Sequence, residues 1–365
     1  MQQQPYFDPT KTYEENCLHG PFGMFATKRK KQIPSHRSPS TLLGFPVAIP
    51  FGIGAGTLPN FRFIQAAWDW GFSIATYKTV RSREYPAHPF PNIVKVSTHN
   101  GEVHPRDTVI ADFHMHHVNV DRDGITNSFA VPSKPSSKWI ADAKKATAKV
   151  PKGSVFILSF MGTKWDGYDR RDFIEDFATC CRLARQANPQ ILEVNLSCPN
   201  FGAEGLVCND IEMTADILEA LAKAKGNTPL VVKVGYVPLT DQKHLEKLLT
   251  LIHRYADGVV GINTISAKVV DQQGNQALPG SPVRLYSGIC GSAIRWAGLD
   301  FSRRTVAFRK KKHWNDFTII GVGGVTTPEH FGEYLEIGVD AVLSVTGSMW
   351  KPTLALDIQK RYFHN

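Results

Sequence analysis

The sequence predicts an α/β chain closed as a (β/α)8 TIM barrel, with a lobe inserted between the second and third strands over the barrel mouth. Three observations carry this. Eight short β-branched runs recur, at 47–53, 72–80, 154–160, 191–196, 230–234, 258–264, 317–322 and 340–345. Six of the intervening segments, 59–70, 168–187, 210–224, 241–255, 292–312 and 328–337, place apolar residues at three- and four-residue steps, as helices packed on a core do. Polar residues stand at the carboxyl ends of five runs: Lys78-Thr79, residues 195–198, Lys233, Asn263-Thr264 and Gly323-Gly324. The loops of such a barrel converge on one mouth at those ends, where packing alone would favour aliphatic residues.

Taken in order, residues 1–44 read as an extension ahead of one barrel domain over 45–365, because no Gly/Ser linker or charged spacer divides the chain. The first sixteen residues are polar, without an apolar leader core, and no run of about 18 uncharged apolar residues occurs anywhere. A cytoplasmic protein without a membrane span is expected. The extension and residues 46–50 are expected to plug the end of the barrel away from the mouth. After the first strand, Gly52-Ile53-Gly54-Ala55-Gly56 fails the Gly-x-Gly-x-x-Gly dinucleotide pattern, its third glycine coming one residue early. These glycines instead let backbone lie flat against a ring, with Ala55 and Gly56 closest.

The stretch 81–152 is too long for one helix and rich in Pro, His, Asn and Asp, which marks a functional connection. It reads as a lobe of irregular or antiparallel structure, with residues 124–128 near the site and a helix over 136–147. Its His114-Met115-His116-His117 cluster has no carboxylate or cysteine at useful spacing, so an exposed cluster is expected and no metal is assigned.

The fourth strand runs into Asn195-Leu196-Ser197-Cys198-Pro199-Asn200. A cysteine at a strand mouth between amide side chains can move a proton while its neighbours grip a small amide-rich ring. The other five cysteines, Cys17, Cys180, Cys181, Cys208 and Cys290, form no Cys-x-x-Cys pair, which excludes a zinc ribbon or an iron–sulfur cluster. The seventh and eighth strand ends, 320–325 and 344–348, with 287–291 before them, supply glycines and backbone N–H groups suited to a phosphate. Net charge is +9, with basic runs at 28–31 and 309–312, yet no RNA-binding signature accompanies them, so no nucleic-acid partner is expected.

These residues together resemble the dihydroorotate dehydrogenase family and the pyrimidine-reducing domain of dihydropyrimidine dehydrogenase, from about Phe45 to Trp350. The hexapeptide resembles the catalytic loop of the soluble, cysteine-using class. The resemblance implies FMN across the barrel mouth, held by Ala55, Gly56, Lys78, Thr79, Asn195, Lys233, Gly291, Gly323, Gly324, Val345 and Thr346, with Lys233 stabilising the reduced ring. It implies a dihydropyrimidine gripped by Lys78, Asn127, Asn195, Asn200, Asn263 and Thr264. Cys198 would take a proton from C5 as hydride leaves C6 for flavin N5, oxidising dihydroorotate to orotate in pyrimidine biosynthesis. Soluble relatives are commonly dimers, which makes a homodimer one expectation.

Two departures bear on the substrate. Val345 stands where many relatives have glycine, and residues 201–208 look closer to the dihydropyrimidine reductases, whereas Asn200 looks like the orotate enzymes. Reduction of uracil- or thymine-type rings is therefore an alternative. A tRNA dihydrouridine synthase-like enzyme is another, although Ser197 fills a place usually held by glycine there. A flavin-free phosphate-binding barrel is the third. The electron acceptor has no motif in the chain.

Overall fold

The computed structural model describes residues 4–27, 40–197 and 206–363. Helix α1 (Tyr13–His19) comes first, its start fixed by reciprocal hydrogen bonds between Thr12 and Glu15. A hairpin follows, β1 (Ser40–Leu42) antiparallel to β2 (Phe45–Val47). Strands and helices then alternate: β3 (Phe51–Ile53), α2 (Phe61–Asp69), β4 (Ile74–Val80), and the short strands β5 (Lys95–Val96), β6 (Thr108–Asp112) and β7 (Gly124–Asn127). Next come α3 (Ser136–Thr147), β8 (Val155–Phe160), α4 (Arg170–Arg185), β9 (Ile191–Asn195), α5 (Ile211–Ala224), β10 (Leu230–Val234), α6 (Gln242–Tyr255) and β11 (Gly258–Gly261). The chain continues with β12 (Ile265–Val270), β13 (Tyr286–Gly291), α7 (Arg295–Lys312), β14 (Thr318–Val322), α8 (Pro328–Ile337), β15 (Ala341–Ser344), α9 (Thr346–Trp350) and α10 (Leu354–Tyr362).

Strands β3, β4, β8, β9, β10, β11, β14 and β15 close into a parallel barrel, as the alternation predicts. Side chains alternate across each strand. On β9, Ile191 joins the cluster inside the barrel, while Leu192 and Val194 join the outer core beneath the helices. Leu42 and Val47 of the hairpin pack against Ile74, Val155, Ile191 and Val231 at the starts of the strands and so plug the amino-terminal end. The run read as one strand over 47–53 is thus two elements, β2 and β3, separated at Ala48–Pro50 because proline withholds a ladder hydrogen bond.

Leu42 belongs to the extension and so bears out the expected plug, but residues 4–27 do not join it. The Tyr6 hydroxyl lies 2.6 Å from Thr57 Oγ1, and the Tyr6 N–H donates to the Met349 carbonyl at 3.1 Å. Thr57 follows β3 and Met349 lies after β15, so residues 4–27 cross the mouth, correcting the expected placement. The reason is aromatic burial: Tyr6 stacks on Phe25 at 4.2 Å, and Phe7 meets Phe129 edge-on at 5.9 Å.

Over the same mouth sits a second closed sheet in the order β12-β13-β7-β5-β6. The expected lobe between β4 and β8 contributes β5, β6 and β7. Strands β12 and β13, inserted between β11 and β14, complete it and were not anticipated, so the sixth run ends at Gly261 rather than at 264. Arg284, 1% exposed, ties the two insertions. Its guanidinium donates to the carbonyls of Pro89 (2.8 Å), Pro91 (2.9 Å) and Pro279, and to Ser128 Oγ (3.2 Å). In the lobe, His114 Nδ1 is paired with the Asp112 carboxylate at 2.9 Å, a partner two residues back that the spacing argument overlooked.

Candidate active site

Beneath the lobe, at the carboxyl ends of the barrel strands, lies a cleft of about 800 Å3, including the part open to solvent. Strand polarity alone brings Ala55 and Gly56, Lys78, Lys233, Asn263 and Thr264, Gly323 and Gly324, and Val345 and Thr346 to its wall. The lobe adds Asn127 from β7 and Gly291 from β13, which are antiparallel neighbours.

The two lysines are both deeply placed. Lys78, 7% exposed, donates to the Pro132 carbonyl at 3.2 Å, and its ammonium sits 4.9 Å over the Tyr13 ring. Lys233, 3% exposed, reaches the Ala55 carbonyl at 3.4 Å. Among the described residues, the cleft is lined by these two ammonium groups and by no carboxylate. Anions are therefore favoured.

Two expected residues stand back from the wall. Thr79 pairs its hydroxyl with Ser159 Oγ at 2.9 Å, and Asn195 turns its Oδ1 onto the Ser197 N–H at 2.9 Å. Cys198 and Asn200 lie outside the described residues, as do the basic run 28–31 and residues 201–205. The described stem of their loop nevertheless ends beside the cleft: Asn263 Nδ2 donates to the Ser197 carbonyl, and the Cys208 N–H returns to the Leu196 carbonyl at 3.0 Å.

The remaining cysteines make poor bases. Burial pushes the Cys181 thiol up to about 12, Cys208 and Cys290 up to about 11, and Cys17 and Cys180 upward as well. Cys290 lines the cleft but donates to the Ile125 carbonyl at 3.5 Å.

One corner of the cleft is walled by close-packed backbone. Gly324 adopts a left-handed φ of 66°, and a Cβ there would come within 2.5 Å of Arg295 Cβ. A Cβ on Gly347 would strike the Val325 carbonyl oxygen. Ser344 Oγ donates to that carbonyl at 2.6 Å and accepts the Ser348 N–H at 3.0 Å, while the Tyr334 hydroxyl donates to the Gly323 carbonyl at 2.8 Å. Val345 turns its side chain toward Gly54 and Gly56, leaving its main chain to the cleft. Sequence reading included Ser344 for its main chain and not for its hydroxyl, and it missed Tyr334 and the aromatic wall of Phe7, Tyr13 and Phe129. The only local signal was aromatic residues in an otherwise polar extension.

The family model described as "Dihydroorotate dehydrogenase" matches residues 116–361. A dihydroorotate dehydrogenase of Dictyostelium discoideum is 33% identical over 97% of this chain and 96% of its own length. A dihydroorotate dehydrogenase (quinone) of Kineococcus radiotolerans is 24% identical over 87% of this chain and 79% of its own. The NAD-dependent dihydropyrimidine dehydrogenase subunit PreA of Escherichia coli is 25% identical over 62% of this chain and 52% of its own. A barrel whose lobe-covered cleft presents buried lysines, amides and a glycine-walled corner, matched along nearly its whole length, belongs to the dihydroorotate dehydrogenase family of oxidoreductases.

Proposed function

We propose that this protein oxidises dihydroorotate to orotate with FMN, using Cys198 as base, as a step of pyrimidine biosynthesis. The observation that carries the substrate is the charge of the cleft: two buried ammonium groups and no carboxylate among its described lining. Lys233 serves the flavin whichever ring is bound, so the discrimination falls on Lys78: an uncharged dihydrouracil ring leaves it without an anion, whereas a ring carboxylate supplies one.

The residues present fit FMN. At the corner made by Gly291, Gly323, Gly324 and Thr346, the three glycines pack closely against Asp123, Gly298 and Arg295 and bring main chain up to the cleft, which suits a phosphate against backbone N–H groups. Ala55 and Gly56 offer a flat edge to a ring. When bound, FMN supplies a two-electron acceptor. The chain's own residues then divide the work. Asn127 and Asn263 orient the ring through its N–H and C=O groups, and Lys78 meets the carboxylate. Asn195 and Asn263 hold the Ser197 main chain through its N–H and its carbonyl, immediately ahead of Cys198. Its thiolate takes the C5 proton, so kcat/KM rises with pH through the thiol's ionisation.

Anaerobic addition of dihydroorotate should bleach the flavin absorbance of the yellow protein, while dihydrouracil should leave it unchanged. Bleaching by dihydrouracil alone transfers the assignment to the reductases, and a colourless protein that takes up no FMN removes it.

A further inference from the structure

One buried charge beneath the cleft takes no part in the chemistry above. β9 faces Ile191, Glu193 and Asn195 into the barrel, and β10 faces Val231 and Lys233 the same way, following side-chain alternation from the residues of the inner cluster. Glu193 stands level with Val231, and Asn195 level with Lys233. The Glu193 carboxyl therefore lies one inward position below the Lys233 ammonium on the adjacent strand.

Glu193 is 0% exposed, and neither of its oxygens meets a hydrogen-bond partner among the described residues. Burial pushes its pKa up, and Lys233 followed by the Ser159 hydroxyl draws it back down. Beside it and below it the inner cluster supplies Val231, Ile191 and Ile157. An uncompensated buried carboxylate costs several kcal/mol, and Lys233 is the cation positioned to offset it.

We propose that Glu193 is the buried counter-charge to Lys233, acting from the inward position below it without direct contact, and thereby limits how strongly the cleft favours reduced, negatively charged flavin over oxidised flavin. The redox part rests on the FMN reading; the charge compensation does not. With its negative charge removed, Lys233 acts on the flavin unopposed.

The test compares wild type with Glu193→Gln, measuring FMN dissociation constants and the midpoint potential of the bound flavin. The expected result is a rise of about tenfold in the preference for reduced over oxidised FMN, equivalent to about 30 mV for a two-electron couple. Glu193→Asp, which keeps the charge, should stay at the wild-type preference, and in a Lys233→Met background Glu193→Gln should have no effect. An unchanged preference in yellow, folded Glu193→Gln overturns the proposal, as does an equal rise in the Lys233→Met background. Infrared spectra of FMN-free protein test the charge compensation without flavin and without Glu193→Gln folding alone. Lys233→Met should gain a protonated-carboxyl band that both wild type and Glu193→Gln/Lys233→Met lack, and failure to gain it overturns the charge compensation. If wild type takes up no FMN, the cofactor reading and the redox role fall together, while the infrared result still decides the charge compensation.

Discussion

At the foot of the barrel, Leu42 and Val47 pack among Ile74, Val155, Ile191 and Val231; at the mouth, two of the same strands turn Lys78 and Lys233 toward a cleft. One strand carries both characters: β10 faces Val231 inward at the foot and Lys233 at the mouth. The foot is sealed by a hairpin only eight residues long, 40–47, whereas the mouth is covered by two insertions and the amino-terminal segment. The contrast separates residues that hold the barrel closed from residues that the barrel holds in place. Changes at the foot should cost stability and spare chemistry, and changes at the mouth should do the reverse.

The sharpest break is at the mouth. Cys198→Ala should lower turnover by about 10²–10⁴-fold with the flavin spectrum retained, and unchanged turnover would remove the thiol from the mechanism. At the foot, Leu42→Ala should cost about 2–5 kcal/mol in denaturant unfolding, with the KM for dihydroorotate unmoved. A KM that rises with it would erase the distinction between the two ends.

The cover lies between these cases. Arg284→Met leaves prolyl carbonyls and Ser128 without their donor, a loss of about 1–3 kcal/mol. Because Asn127 adjoins Ser128, KM should rise as well, and a stability loss alone would make Arg284 a purely structural tie. The smallest effect concerns pH. Burial, followed by the Arg284 charge, lowers His88 from its ordinary 6.5 to about 4. Between those values the unfolded chain binds a proton that the folded chain refuses, so stability falls as pH drops from about 6.5 to about 4. His88→Gln should flatten that slope; an unaltered slope would assign the acid loss to other groups.

Several features of the site were legible because they depend on local pattern. Apolar period and β-branched runs set the eight strands, and polar residues at strand ends then had only one place to converge. Lys78, Lys233, Asn263 and the glycines of the last two loops could be read this way and meet in one cleft. Strands β12 and β13 escaped notice, although Ile265-Ser266-Ala267-Lys268-Val269 alternates apolar and polar residues as a half-buried strand does. Their partners, β6 and β7, lie more than a hundred residues earlier, a pairing that no local window contains.

The placement of the extension is the harder case. Tyr6, Phe7 and Tyr13 look like isolated aromatics in a polar segment, and local chemistry does not choose between the two ends of the barrel for them. Their choice was made by Phe63 and Phe129, aromatic surfaces that exist only once α2 and the lobe have packed.

The order of residues by itself determined the barrel, the end at which the cleft opens and the charge of the side chains that reach it, because alternation and strand polarity are properties of the backbone. Only the tertiary structure decided that residues 4–27 wall the cleft, that two insertions share one lid, and that Glu193 lies buried beneath Lys233. Those outcomes depend on which surfaces meet across long sequence separations, where burial and charge compensation, rather than local pattern, select the arrangement.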